Sequence, residues 1–321
     1  MMTRRLLLAM MLLSALWPTG LSWPQDEAPK KFNLEVSTDF DYDANATQQP
    51  DNPAGAALVN KRGSAVYTQA AKLAYNVNPV GPLDLEGKYE FFQNFHPRVS
   101  TVDTLMHTWS LSPSYSFGAA RNFRLWLPFS FNYTDVQSDK YLTAFALAPN
   151  FFHRYSQALG WGLEMWLGRK YGWTPQAMPG LFDYSGRNIG YSLGGYYFFG
   201  DKGGYLQARL SNDYVGAVGR NNDGSSFHLL LSGLYPFTPK FSLTLYLDLG
   251  LVPYDHRYQD GTLTAYPTRE DKTMVFGAIA SYEIYRGLAA NLHYYMTRQD
   301  SNIFLYDYTT HILGGQVAYR Y

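Results

Sequence analysis

Residues 241–252, FSLTLYLDLGLV, put Phe241, Leu243, Leu245, Leu247, Leu249 and Leu251 at every second place, with Ser242, Thr244, Tyr246, Asp248 and Gly250 between them. Successive side chains of a β-strand point to opposite faces, so one face of this segment is a leucine ladder and the other is polar and carries a carboxylate. The same period recurs. In FNLEVSTDFDYDAN it separates Phe32, Leu34, Val36, Phe40 and Tyr42 from Asn33, Glu35, Ser37, Asp39, Asp41 and Asp43. It returns in FRLWLPFSFNYT, WGLEMWLG, HLLLSGLYPF and LAANLHYYM. Strands of soluble domains average about five or six residues, whereas these runs of roughly 12 to 16 suit a tilted bilayer crossing plus a rim.

Turn signals at NPVGP, AARN, SQAL, GDKGG, TPK and YRG alternate with longer polar stretches, of which 47–61, 172–183 and 255–271 are the longest. Strands are predicted at 32–45, 62–76, 83–95, 103–118, 123–135, 141–153, 159–171, 186–199, 205–217, 225–237, 241–254, 272–285, 288–299 and 308–321. The expectation is an all-β fold: a transmembrane antiparallel up-and-down β-barrel of about 14 strands, with 12 or 16 as alternatives. Its apolar face would meet lipid and its polar face water. The 28 Tyr, 20 Phe and 7 Trp supply the amphipathic rings such a barrel places at both interfaces.

The N-terminus suggests the compartment. MMTRR followed by LLLAMMLLSALW and the small residues Gly20 and Ser22 has the order of a secretory signal peptide, too short in its apolar run to span a bilayer. The predicted organisation is a signal peptide over 1–22, a periplasmic lead segment over 23–31 and a barrel over 32–321. Lys plus Arg number 26 against 26 Asp plus Glu, so no nucleic-acid partner is indicated. Cysteine is absent, which excludes disulfides, thiolate metal sites, cysteine nucleophiles and an N-terminal lipid-modified cysteine.

The closing GGQVAYRY alternates Val317, Tyr319 and Tyr321 and ends on an aromatic residue. It resembles the terminal strand of bacterial outer-membrane proteins, with Tyr in place of the commoner Phe and with Gly314 and Gly315 a place or two early. That resemblance implies an outer-membrane location, contact with outer-membrane lipid and recognition by the barrel-assembly machinery. FDYDANAT and RQDSNIFLYDYTTHILGGQVAYRY are similar to barrels that follow a periplasmic helical-repeat scaffold, including the surface-lipoprotein assembly modifiers. No 34-residue helical period accompanies them here, and any periplasmic partner is unknown.

Catalysis is not indicated. None of His96, His107, His153, His228, His256, His293 and His311 has Ser two places later, the His-x-Ser signature of outer-membrane phospholipases. Asp255 and His256 are adjacent and would converge only if their strand has ended. The predicted pore-lining set is Glu35, Asp39, Asp41, Asp43, Lys72, Glu86, Lys88, Arg124, Glu164, Arg209, Asp248, Glu283 and Arg320. Asp39, Asp41 and Asp43 form the most suggestive group, read as a cation-attracting wall, as a calcium site completed by loop oxygens, or as a hydrated strand end. In the loop GWTPQAMPGLFD, Trp173, Met178 and Phe182 are predicted to narrow the mouth. The turn at NPVGP is expected to set Lys72 opposite Glu86, and closure to bring Arg320 to Glu35. No metal or cofactor is predicted. The expected role is a channel for small polar or ionic solutes with a modest cation preference; the alternatives are the barrel of an export system for surface lipoprotein or polysaccharide, and an outer-membrane enzyme.

Overall fold

A computed structural model describes residues 31–46, 48, 63–118, 121–137, 139–172, 183–199, 203–259 and 266–321. The predicted signal peptide, residues 23–30 of the lead segment and the constriction residues Trp173, Met178 and Phe182 lie outside them.

The alternating runs form sixteen strand segments. They are β1 Phe32–Asp43, β2 Ser64–Val80, β3 Leu83–Phe95, β4 Thr104–Phe117, β5 Phe123–Trp126, β6 Phe129–Val136, β7 Asp139–Leu147 and β8 Asn150–Arg154. The chain continues with β9 Leu159–Gly172, β10 Gly186–Phe198, β11 Tyr205–Ala217, β12 Gly224–Pro236, β13 Phe241–Arg257, β14 Thr268–Tyr285, β15 Leu288–Ser301 and β16 Tyr308–Arg320. Two pairs of segments are single staves interrupted by proline. Ser114↔Trp126 before the break and Leu111↔Phe129 after it keep one register, so β5 and β6 are one stave. Residues β7 and β8 likewise share one register against β9. Pro128 and Pro149 have no N–H to donate, yet the ladder carries on through Leu127 N–H to the Pro113 carbonyl, Ala148 N–H to Pro128 and Met165 N–H to Pro149, each at 2.9 Å. The result is a closed antiparallel barrel of 14 strands, sealed where β1 pairs with β16 from Glu35↔Arg320 to Asp43↔Ile312.

The two faces separate as the alternation requires. Phe40, Tyr42, Leu193, Leu210, Leu292 and Leu313 are among the outward residues more than half exposed. Inward residues Asp39, Thr68, Ser114, Ser192, Asp248 and His293 are buried. Such a molecule has no conventional apolar core. Its described buried apolar cluster sits beyond the strands at the long-loop end, where Tyr258 and Ile303 pack with Tyr266, Leu305 and Tyr306. Beside it Arg269 is clamped between the rings of Tyr254 at 4.3 Å and Tyr306 at 3.4 Å, and is ion-paired to Asp271. Asp271 also accepts from Ser301 Oγ and Gln299 Nε2, so two neighbouring long connections are tied into one rim.

One expected register is wrong. Lys72 lies opposite Glu90, and Glu86 opposite Asn76. The hairpin does not centre on Pro79. β2 runs on to Val80, with a register shift between Val77 and Val80 that absorbs Pro79. The chain reverses at Gly81, whose φ of 48° favours glycine, and at Pro82, which cannot donate to the ladder. With no native cysteine to interfere, Lys72→Cys with Glu90→Cys should form a disulfide in membranes, and Lys72→Cys with Glu86→Cys should not. Equal yields from the two pairs would refute this register.

Candidate functional site: the inner wall of the barrel

All thirteen charged residues predicted to line a pore stand on the inner face. Three of them, with Glu90 beside them, make a row of alternating sign that starts at the closure seam: Arg320, Glu35, Lys72 and Glu90 occupy successive ladder positions on β16, β1, β2 and β3. Arg320 Nε donates to Glu35 Oε2 at 3.0 Å across the closure seam, as expected, and Lys88 Nζ is 3.2 Å from Glu90. Glu86 stands opposite Ser112 on the same wall. Arg124 donates to Ser114 Oγ at 3.1 Å. Glu283 accepts the Gly287 N–H and so braces the last tight turn, where Gly287 takes a φ of 77°. In mid-wall Arg209 lies 3.6 Å from Glu164, and His228 Nδ1 lies 3.1 Å from Asp248.

The acidic strand β1 divides in function. Asp43, 1% exposed, accepts from the Asn45 N–H at 2.8 Å and from the Thr310 hydroxyl at 2.5 Å. It ties the end of β1 to β16 and presents almost no surface to solute. Asp41 Oδ1 is 2.7 Å from His293 Nε2, and Asp39 lies one inward place below, between Gln316 and Thr68. Among the described residues no group of three or more His, Asp or Glu is placed to hold a metal ion.

The Asp41–His293 contact reaches over an intervening strand. Asp41 is opposite Gly314 on β16, and Gly314 is opposite His293 on β15. A Cβ at Gly314 would fall 1.6 Å from Asp41 Oδ1 and 2.8 Å from His293 Nε2. The same device occurs twice more. Trp166 reaches across Gly190 and donates its indole N–H to Asp213. Tyr246 lies over Gly277 against Tyr295, ring centroids 6.1 Å apart. Where one strand offers no side chain, groups two strands apart meet directly, by a hydrogen bond in the first two cases and by ring contact in the third. Sequence reasoning missed His293, Trp166 with Asp213, and Tyr295 as partners because each contact spans two registers. The glycines at 190, 277 and 314 were the available signal.

The rim pair suggested by Asp255 and His256 does not form. β13 continues to Arg257, and His256 Nε2 instead lies 3.3 Å from Asp223 in the 218–223 connection.

No protein-family model matches the chain, and no curated protein matches it. Among solved structures, the outer-membrane channel DcaP of Acinetobacter baumannii aligns over 90% of this chain and 96% of its own, with 13% identity and a TM-score of 0.50. The toluene transporter TodX of Pseudomonas putida aligns over 91% and 90% with 9% identity and a TM-score of 0.45. A FadL homologue of Pseudomonas aeruginosa aligns over 90% of each chain with 12% identity and a TM-score of 0.45. At these identities the likeness to DcaP is one of fold.

Two outcomes follow from this geometry. Gly314→Ala should destabilise the folded barrel by about 1–3 kcal/mol in urea titrations in lipid, as much as Asp41→Ala, because either leaves a buried polar group without its partner; wild-type stability of Gly314→Ala would show that the bridge is absent. At the rim, His96 donates its N–H to Asp103 Oδ1 at 2.6 Å, its Nδ1 lies 3.2 Å from the same oxygen, and its side chain is buried. Burial pulls its pKa below the usual 6.5, outweighing the opposing pull of Asp103 and Asp43. A depressed folded value means that the contribution of His96 to stability is complete above about 6.5 and lost as pH falls through the folded pKa. Protection factors in 96–103, with the intrinsic pH dependence of amide exchange divided out, should therefore fall on acidification in wild type and lose that pH dependence in His96→Gln.

Proposed function

We propose that the protein is a bacterial outer-membrane channel for small polar or ionic solutes with a modest preference for cations, and that the thirteen inner-wall residues line its path. The observation that carries this reading is a closed barrel whose exterior is apolar and whose inner wall bears carboxylates, guanidinium groups, hydroxyls and amides in pairs. Paired charges of both signs give a wet wall with no one-sided ladder, which suits small solutes better than a dedicated polyanion. The shared fold with an outer-membrane channel supports the same reading.

The cation preference rests on Asp39 and Asp41, which face the lumen on the long-loop half of β1. Low-dielectric walls focus their field, and salt screens it with a Debye length of about 10 Å at 0.1 M. His293 beside Asp41 and Arg209 farther along the wall oppose it, which keeps the selectivity modest. Asp43 contributes least, since its carboxylate is buried against Asn45 and Thr310.

Reversal potentials across a salt gradient test this reading. In dilute salt the Asp39→Asn, Asp41→Asn variant should reverse nearer zero than wild type, while Asp43→Asn alone should change selectivity less. Identical potentials for wild type and the double variant would remove the basis for a cation-preferring channel.

A further inference from the structure

The lipid-facing wall of a membrane barrel carries charge only near its rims, where charged groups reach the headgroups. Arg169 on β9 and Arg187 on β10 face each other directly across the ladder. They share the outward face with Leu167 and Ile189, which are exposed toward lipid. Both lie near the long-loop end, where β9 closes at Gly172 and β10 opens at Gly186. Like charges directly opposite on neighbouring strands repel. Among the described residues neither arginine is ion-paired with a carboxylate; the Arg169 guanidinium instead lies 5.1 Å from the Tyr171 ring. Two facing guanidinium groups without an acid are complementary to one shared dianion, and the planar donor fork of arginine fits phosphate oxygens bidentately.

The wall beside them has the second half of a ligand's shape. An open groove of about 340 Å³ has both arginines on its border and is lined by Phe129, Phe145, Leu147, Leu167 and Ile189. A dissolved anion has no use for such a surface, and a purely apolar ligand has no use for the arginines. A larger groove of about 840 Å³ repeats the pattern between β10 and β15, with Leu210, Phe227, Leu249 and Met274 bordered by Lys272 and Arg298. There Asp300 lies 2.9 Å from Arg298 and offsets part of the charge, so the facing arginines make the stronger anion site.

We propose that Arg169 and Arg187 bind a phosphate of a multiply acylated outer-leaflet glycolipid, lipopolysaccharide in a Gram-negative membrane, with an acyl chain along the groove of Phe129, Phe145, Leu147 and Leu167. This assignment rests on the outer-membrane placement proposed above. It does not depend on the pore's selectivity, and the two are read by separate measurements.

The test is capture of lipid A by the folded full-length barrel in detergent, read by native mass spectrometry. Arg169→Gln with Arg187→Gln should weaken capture about tenfold or more, the loss of charge-assisted bidentate bonds. Arg169→Lys with Arg187→Lys should fall between, since it keeps charge and loses the fork. Arg286→Gln, at the exposed turn on the opposite end, should bind as wild type. Heat-dependent gel mobility checks that each variant is folded, and the lysine pair keeps the test decisive if the glutamine pair does not fold. Equal capture by wild type and both arginine-pair variants would overturn the site, as would equal capture of dephosphorylated lipid A by wild type. Displacement of lipid A by millimolar inorganic phosphate would show a plain anion site and overturn the lipid assignment. Unchanged reversal potential in the glutamine pair separates this site from the channel reading.

Discussion

A backbone in hydrocarbon has no water to satisfy its N–H and C=O groups, so every crossing strand must find both neighbours within the protein. Closure of β1 on β16 is therefore the condition on which the rest of the structure stands. It fixes which inner-wall groups meet at the seam, places Glu35 against Arg320, and brings the acids of β1 within reach of β15. The same demand explains how Pro128 and Pro149 are tolerated in mid-wall. Each removes one donor, while neighbouring N–H groups keep the adjoining ladder in register.

Inside this wall the charges are managed by missing side chains as much as by present ones. Gly314, Gly190 and Gly277 leave gaps through which Asp41 meets His293, Trp166 meets Asp213, and Tyr246 meets Tyr295. A carboxylate in a narrow, low-dielectric tube costs much of its hydration unless a donor replaces it. Bridging over glycine supplies that donor from two strands away. The acidic strand is consequently a graded feature: Asp43 is bonded to Asn45 and Thr310, Asp41 is paired with His293, and Asp39 lies between Gln316 and Thr68.

The two ends of the barrel are built for different tasks. The short-turn end reverses at tight turns such as Gly81–Pro82 and Arg286–Gly287, and its aromatic rings face lipid in stacked pairs such as Phe117 with Phe123. At the long-loop end, Arg269 held between two tyrosines and bonded to Asp271 ties the connections on either side of β14 and β15 together. Asn221 donates to the Gln259 carbonyl and joins a third connection to that rim. The facing arginines of β9 and β10 belong to this same end, next to the outward Leu167 and Ile189.

The period-two pattern by itself determined the all-β class and the face each residue takes, because a strand has only two faces and one must suit lipid; with the turn signals it pointed to about 14 strands, and the pairing that joins β5 to β6 and β7 to β8 decided that number against 12 or 16. That is why Glu35, Lys72, Arg124, Arg209, Asp248 and the other predicted wall charges all stand on the inner side. Register was less legible: NPVGP contains several residues able to turn, and only the pairing of β2 with β3 decided that Lys72 faces Glu90. Contacts over a third strand were not legible from alternation alone. Asp41 and His293 are 252 positions apart, and their meeting depends on two successive registers, on closure, and on a glycine between them. The sequence supplies side chains to each face; the sum of registers around the closed barrel decides which of them touch, because a shift of one place on any strand would move its whole set to the other side.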